Sequence, residues 1–361
     1  MQALQSPGKP RQSNIELLRI ASFVMIAAMH SVGWYRHVNT VIGDLNWIFA
    51  NTLSGIAQGA VGCFMLITGY FYESVNIKAK VRKILLPVLA YLPLYYLYLL
   101  VRDYELRSYV QPLKQLVQNL LNNGGMVGIF WYIQCLLIVT LLSPLLKAAI
   151  DNISRRTHLL GIAVMLVFFS LLPTVNAATD LYIFQQGLYS SEAATFVTMY
   201  FIGAYFRKYP VRMKTGTAGL LAAASALAVP AMNALWCSRW SPFMLFHKGL
   251  EYPFDTYVGP FLDSRNLLLI AESVAVFVFF TKLGFSSRAV NKTASLTYGA
   301  YLIHMFYVYL TNFFVLHFGW NPPYIPGLAA RWLACAALSL LTEYVRQRAV
   351  ALIRRPRSET A

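Results

Sequence analysis

Long hydrophobic runs alternate with short polar connections along almost the whole chain. Most of these runs approach the length of about 20 apolar residues that crosses a bilayer as a helix. We count ten of them, at residues 17–36, 50–72, 84–101, 129–149, 158–175, 194–207, 216–236, 265–283, 295–316 and 326–345. The pattern therefore predicts an all-α membrane protein with about ten transmembrane helices.

The composition supports a membrane protein and argues against a nucleic-acid partner. Hydrophobic residues make up 58% of the chain and charged residues only 12%, whereas soluble domains carry about 25% charged residues. The formal net charge of +16 would suit nucleic acid. In a membrane protein, however, basic residues concentrate in the cytoplasmic connections and report topology. We therefore expect contact with membrane lipids and none with nucleic acid.

The distribution of basic residues predicts the orientation. With the N-terminus in the cytoplasm, the inner connections carry roughly three times as many Lys and Arg residues as the outer ones, as the positive-inside rule requires. Both termini are then cytoplasmic. Together with the limits of the hydrophobic runs, the polar ends of the chain predict a disordered cytoplasmic tail at 1–13, a transmembrane domain at 14–346 and a basic cytoplasmic tail at 347–361. We expect a multi-pass protein of the plasma membrane.

The first hydrophobic run carries ionisable residues that a plain membrane anchor would lack. Glu16, Arg19 and His30 fall in or beside it, although one charge inside a span costs at least about 2.5–3.5 kcal/mol on insertion scales. Arg19 and His30 are eleven positions apart, so they share one helix face and lie about 16 Å apart along the axis. An imidazole can accept a proton at neutral pH, and a guanidinium suits a phosphate. Alternatively, His30 only bonds a neighbouring helix, and Arg19 snorkels or pairs with Glu16.

Other polar groups lie in or beside the hydrophobic runs. The basic cluster KAKVRK, which includes Lys80, Arg82 and Lys83, could hold a polyphosphate or anionic lipid headgroups. His304 follows Tyr301 by three residues, so the two share a helix face. The role of Glu272 stays open, and we interpret Glu343 with Arg346 as a structural ion pair.

No metal site and no covalent intermediate is indicated. The four cysteines, Cys63, Cys135, Cys237 and Cys335, are scattered without metal-ligand spacing. No motif of a known protein nucleophile occurs in a suitable context. These observations favour direct group transfer assisted by a general base.

The opening IELLRIASFVMIAAMH and five later segments, taken together and in order, resemble the acyltransferase-3 family of integral membrane acyltransferases. The opening IELLRIASFVMIAAMH is similar to that family's first helix, with Arg19 and His30 matching its Arg-x10-His signature. The resemblance continues, in order, through CFMLITGYFY (63–72), KVRKILLPVLAY (80–91), FWYIQCLLIVTLLSPLL (130–146), FVTMYFIGAYF (196–206) and SLTYGAYLIH (295–304). It covers about residues 14 to 345.

The resemblance implies O-acylation of a glycan. An acyl group, most often acetyl, would pass from cytoplasmic acyl-CoA to a hydroxyl of an extracytoplasmic or lipid-linked glycan, as in polysaccharide O-acetylation of the cell envelope. Arg19, Lys80, Arg82 and Lys83 would hold the phosphates of acetyl-CoA, and His30 would act as the base. His304, Tyr301 and Glu272 are candidates for orienting the acceptor or stabilising the oxyanion. The machinery of exopolysaccharide synthesis is an expected partner.

Two rival functions use the same residues differently. A transporter or flippase for a glycan or lipid precursor would use the charged first helix as a substrate pathway. Such folds often have duplicated halves and paired broken helices, and we see no similarity between the two halves of this chain. A scaffold in a polysaccharide-synthesis complex would leave Arg19 and His30 without a role.

Overall fold

A computed structural model describes residues 11–39, 43–74, 76–102, 109–122, 130–179, 191–237, 260–318 and 323–353. Across these ranges the regular elements are helices. They are α1 (Ser13–Asn39), α2 (Leu45–Tyr70), α3 (Ile77–Arg102), α4 (Val110–Asn122), α5 (Phe130–Asn152), α6 (Arg155–Thr179), α7 (Glu192–Lys208), α8 (Thr215–Cys237), α9 (Leu267–Thr281), α10 (Arg288–Ala294), α11 (Thr297–Phe318) and α12 (Tyr324–Ile353). Helix α6 contains a π-helical turn at Val167–Leu171.

Each hydrophobic run of the sequence coincides with one of these helices, so the predicted all-α class is confirmed. In the part of the chain that the structure describes, seven helices are long and apolar enough to cross a membrane: α1, α2, α3, α5, α6, α8 and α12. This makes the chain a multi-pass membrane protein. The count of ten spans and the cytoplasmic location of both termini stay predictions.

Two helices occur where the sequence predicted only connections. Helix α4 lies in a predicted outer loop, and α10 lies between α9 and α11. Helix α12 continues to Ile353, so the first residues of the predicted tail at 347–361 are helical. Most of the predicted N-terminal tail and the end of the C-terminal tail lie outside the described residues.

Helices α1 and α2 form the centre of the bundle. Helix α1 packs against α2, α9, α10, α11 and α12, whereas α2 packs against α1, α7, α8 and α9. These two helices are also the most buried of the apolar spans. The helix with the most unusual polar residues is therefore enclosed by protein, as the cost of placing charge in lipid requires.

Polar contacts fix the beginning of α1. Arg11 donates from Nη1 to the backbone oxygen of Asn291 over 2.6 Å, and Ser13 Oγ contacts Asn291 Oδ1 at 3.0 Å. Asn14 Nδ2 donates to the backbone oxygen of Phe280, also at 3.0 Å. Asn291 belongs to α10 and Phe280 belongs to α9. These contacts therefore hold the first turn of α1 in place against its two neighbours, and Arg19 follows on the same helix.

Two glycines let α2 and α7 approach until their backbones touch. A Cβ atom at Gly69 would lie 2.0 Å from the backbone oxygen of Tyr200, and one at Gly203 would lie 2.1 Å from that of Leu66. Such small residues are the usual means of close helix packing in membranes. This crossing places Tyr200 of α7 beside the C-terminal end of α2.

The predicted ion pair of Glu343 with Arg346 is confirmed. Arg346 donates from Nη2 and Nε to the two carboxylate oxygens at 2.6 and 2.7 Å, and Tyr91 Oη donates to the same carboxylate at 2.6 Å. Glu343 is 2% exposed. The cluster joins α3 to α12.

We expect cysteine labelling to test the orientation directly. The four native cysteines are all buried, so a membrane-impermeant maleimide should react only with a cysteine introduced at an exposed position. A cysteine at Ser190 or Ser241, both in predicted outer connections outside the described residues, should react in intact cells. One at Thr215, exposed at the start of α8, should react only after permeabilisation. Labelling at Thr215 in intact cells would invert the predicted topology.

Candidate active site

A cavity opens between six helices at the predicted cytoplasmic end of the bundle. It offers about 50 Å³ to the centres of water-sized atoms, which exceeds the roughly 10–15 Å³ that one water needs. Its walls are mostly apolar and aromatic, with three cations among them. The lining residues are Arg19, Phe64, Ile67, Thr68, Lys80, Lys83, Ile84, Tyr132, Leu136, Val139, Thr140, Ser143, Tyr200 and Tyr298.

Arg19 is buried at this cavity together with its carboxylate partner. Its Nη1 lies 3.3 Å from both carboxylate oxygens of Glu16, and the two residues are 4% and 3% exposed. The guanidinium carbon also lies 5.8 Å from the ring centre of Phe71, within the range of a cation–π contact. The pairing with Glu16 that the spacing allowed is therefore present. Because Arg19 also lines the cavity, the pair does not withdraw it from the site.

The basic cluster of α3 divides between the cavity and the surface. Lys80 and Lys83 line the cavity, and Lys80 is only 7% exposed. Arg82 is exposed and is not among the lining residues. The cause is helical geometry, since positions 80 and 83 share a face and position 82 lies about 100° from 83. With Glu16 balancing Arg19, the two lysines add positive charge to the cavity.

His30 and His304 meet in the interior of the bundle. Their ring centres are 5.1 Å apart and the ring planes are inclined at 43°. His304 is fully buried and contacts the backbone oxygen of Tyr301 through Nδ1, whereas His30 is half-buried. The structure thus brings together the predicted base and one of the predicted acceptor-orienting residues.

A continuous row of rings connects the cavity with the two histidines. Tyr132 of α5 lines the cavity, and its ring centre is 5.3 Å from that of Tyr301. The Tyr301 ring is 5.4 Å from His304, which in turn contacts His30. The histidine pair is therefore linked to the wall of the cation-lined cavity by aromatic rings in contact.

Sequence reasoning missed the aromatic hydroxyls of this site. Tyr132 and Tyr200 both line the cavity, and in the sequence they look like any tyrosine of an interfacial aromatic belt. Tyr200 is 1% exposed, and its hydroxyl has no hydrogen-bond partner among the described residues. Tyr298 is already engaged, donating to the backbone oxygen of Ile84 at 2.9 Å. The segments that contain these three tyrosines could be recognised in the sequence. The sequence did not reveal which face of each helix points toward the cavity.

Glu272 lies apart from the cavity. It is 1% exposed on α9, and a Cβ atom at Gly59 of α2 would lie 2.8 Å from its carboxyl carbon. Its Oε2 atom has no hydrogen-bond partner within the described part of the chain. Glu272 is not among the cavity-lining residues, so its predicted part in acceptor orientation stays a prediction.

Within the residues that the structure describes, no group of three or more His, Cys, Asp or Glu side chains could hold a metal ion.

Comparison with known protein families identifies the family of this chain. The acyltransferase-3 family, described as an acyltransferase domain, matches residues 12–344, close to the limits that the sequence resemblance suggested. No curated protein and no solved structure matches the chain. The family match covers nearly the whole bundle, including both histidines and all three cavity cations. The chain therefore belongs to the acyltransferase-3 family.

Proposed function

We propose that this protein transfers an acyl group, in the first place acetyl, from cytoplasmic acyl-CoA to a hydroxyl of an extracytoplasmic or lipid-linked glycan. Membership of the family supports acyl transfer in general. The observation that carries the more specific proposal is a row of tyrosine rings in contact that lies between a cation-lined cavity and two adjacent histidines. We place the reaction in the plasma membrane, alongside the machinery of polysaccharide synthesis.

The cavity suits the chemistry of the donor. Coenzyme A combines phosphates with a long, thin pantetheine arm that ends in the thioester. Arg19, Lys80 and Lys83 supply cations for the phosphates, and the apolar walls suit the arm and the acyl group. The distance from Arg19 to His30, about 16 Å by helical rise, is comparable to the extended arm. A bound donor would therefore present its thioester near the histidine pair.

His30 is the proposed general base of the transfer. It accepts the proton of the glycan hydroxyl while the hydroxyl oxygen attacks the thioester carbonyl carbon. The carbon–sulfur bond then breaks, and coenzyme A leaves as a thiol after taking the proton from His30. The site contributes by holding the donor and acceptor together and by moving this proton. We assign the hydroxyls of Tyr132 and Tyr301, whose ring centres lie 5.3 Å apart, as the candidate donors to the developing oxyanion.

Purified protein in sealed vesicles would test the proposal. Acetyl-CoA labelled in the acetyl group is supplied on one side and a lipid-linked glycan is included in the membrane. We expect label in the glycan, released as acetate by mild base as for an ester. Movement of glycan across the membrane without label would identify a flippase, and the absence of both would contradict acyl transfer and transport together.

The cavity cations yield a second prediction. Arg19→Ala should raise the KM for acyl-CoA, because a hydrogen bond to a charged group contributes about 1.5–3 kcal/mol, which corresponds to roughly 10- to 150-fold. Arg19→Lys should restore only part of the affinity, since an ammonium lacks the planar fork of a guanidinium. The measurement is the initial rate of transfer as a function of acetyl-CoA concentration.

Matched variants separate a cavity effect from a change in net charge. Lys80→Ala, at a lining position, should also raise the KM. Arg156→Ala removes a cation that is exposed near the start of α6 and does not line the cavity, so its KM should stay unchanged. Equal KM values for Arg19→Ala and the wild type would assign Arg19 a structural role with Glu16.

A further inference from the structure

The environment of His304 fixes which of its nitrogens carries the hydrogen. Nδ1 contacts the backbone carbonyl oxygen of Tyr301, and a carbonyl can only accept a hydrogen bond. Nδ1 must therefore be the donor. In the uncharged ring the other nitrogen, Nε2, is then a bare lone pair that can accept a hydrogen bond but cannot donate one.

That lone pair is buried without a partner. Nε2 of His304 is inaccessible to solvent and makes no hydrogen bond within the described ranges. Its ring is bordered by Phe23, whose ring centre is 6.4 Å away, by Tyr301 and by His30. A buried polar atom left unsatisfied is unusual in native proteins, and such exceptions often mark a functional position. Of these three rings, only Tyr301 and His30 carry a hydrogen-bond donor. The Tyr301 hydroxyl makes no hydrogen bond to Nε2, which leaves the ring N–H of His30 as the neighbouring donor.

We propose that His304 is a positioning residue for His30. In the substrate-bound state, Nε2 of His304 accepts a hydrogen bond from the ring N–H of His30. This leaves the other nitrogen of His30 as a bare lone pair directed at the acceptor hydroxyl. The inference rests on the proposed function, and it assigns His304 a role opposite to that of an oxyanion donor.

The two histidine rings already lie next to each other. The ring centres are 5.1 Å apart with an inclination of 43°, so the rings are neighbours whose planes are not yet aligned. His30 is the less buried of the two and can turn about its side-chain bonds, whereas the contact with Tyr301 fixes His304. Catalytic hydrogen bonds are often long before substrate binds and tighten afterwards.

The proposed hydrogen bond between His30 and His304 is also compatible with every position of the proton during transfer. When His30 takes the proton of the acceptor hydroxyl, it becomes an imidazolium with hydrogen on both nitrogens. Nε2 of His304 continues to accept one of these N–H groups, and the other N–H delivers its proton to the departing sulfur. His304 gains and loses no proton, in the way that the carboxylate of a catalytic triad orients its histidine without being protonated.

Two substitutions at position 304 distinguish positioning from packing. His304→Met keeps the volume and replaces the ring nitrogen by a thioether sulfur, which accepts hydrogen bonds only weakly. The kcat should therefore fall by roughly 10- to 100-fold, as when an outer hydrogen-bond partner that orients a metal-bound imidazole is removed. The affinity for acetyl-CoA, measured by calorimetry, should not change. His304→Gln supplies an amide oxygen as a substitute acceptor and should restore a substantial part of kcat. Equal rates for the Met and Gln variants, or a wild-type rate for Met, would overturn the proposal.

Nitrogen NMR of protein labelled with ¹⁵N-histidine gives a readout that needs no activity. The chain has six histidines, and the His304 signals are those lost in both variants. We expect a protonated Nδ1 and a bare Nε2 in the wild type, and a changed tautomer of His30 in His304→Met when acetyl-CoA is bound. A protonated Nε2 on His304 would overturn the positioning role. A wild type that shows the expected nitrogens but transfers no acyl group would instead overturn the proposed function.

Discussion

Replacing His30 by glutamine should abolish acyl transfer and leave a folded protein that still binds acyl-CoA. A general base contributes roughly 10²–10⁴-fold in rate, and a glutamine amide cannot accept a proton at neutral pH. It can, however, keep a hydrogen bond. The donor cavity lies at the other end of the row of rings, so binding of acetyl-CoA should be unaffected. The measurements are the transfer rate, acetyl-CoA affinity and melting temperature of the wild type, His30→Gln and His30→Ala.

A buried histidine outside the candidate site provides the matched control. His158 of α6 is fully buried, and its Nε2 lies 3.0 Å from the backbone oxygen of Phe201 on α7, away from the cavity lining. His158→Gln should change stability more than rate. If His30 served only to hold helices together, its removal would cost about 0.6–2 kcal/mol and the two variants would behave alike. Near wild-type transfer by His30→Gln would remove His30 as the base and make His304 the next residue to test.

The helices could be predicted because a membrane imposes a simple rule on sequence. Every segment in lipid must satisfy its own backbone hydrogen bonds, so a long apolar run is a helix wherever it packs. This rule did not identify helix α4. Its sequence VQPLKQLVQNLLN is amphipathic, with polar residues between the apolar ones, and it contains no long apolar run. Helix α10 has only seven residues, too few for any periodic signal.

Within the site, the sequence was informative where one helix carries the chemistry. Arg19 and His30 share a face because of their spacing alone, and Lys80 and Lys83 could have been separated from Arg82 by the same reasoning. The contact between His30 and His304 joins α1 to α11, and the contact of Tyr132 with Tyr301 joins α5 to α11. Such contacts depend on how each helix is rotated about its axis, which packing of the whole bundle decides.

The crossing of α2 and α7 should be intolerant of a single methyl group. A Cβ atom at Gly69 would lie 2.0 Å from the backbone oxygen of Tyr200, and a backbone atom cannot turn aside as a side chain can. In Gly69→Ala the two helices must separate, and overpacking typically costs about 1–3 kcal/mol, occasionally more. Because Tyr200 lines the donor cavity, the affinity of the Gly69→Ala protein for acetyl-CoA should fall as well.

Gly161 of α6 is the matched control for this substitution. A Cβ atom there would meet no other atom within 4 Å, so Gly161→Ala should be neutral or should stabilise the helix by about 0.5–1 kcal/mol. Gly203→Ala, on the opposite side of the crossing, should reproduce the loss seen for Gly69→Ala because its Cβ would lie 2.1 Å from the backbone oxygen of Leu66. Thermal unfolding in detergent, with and without acetyl-CoA, measures all three. If Gly69→Ala melted at the wild-type temperature, the backbones of α2 and α7 would have to lie farther apart than the structure places them.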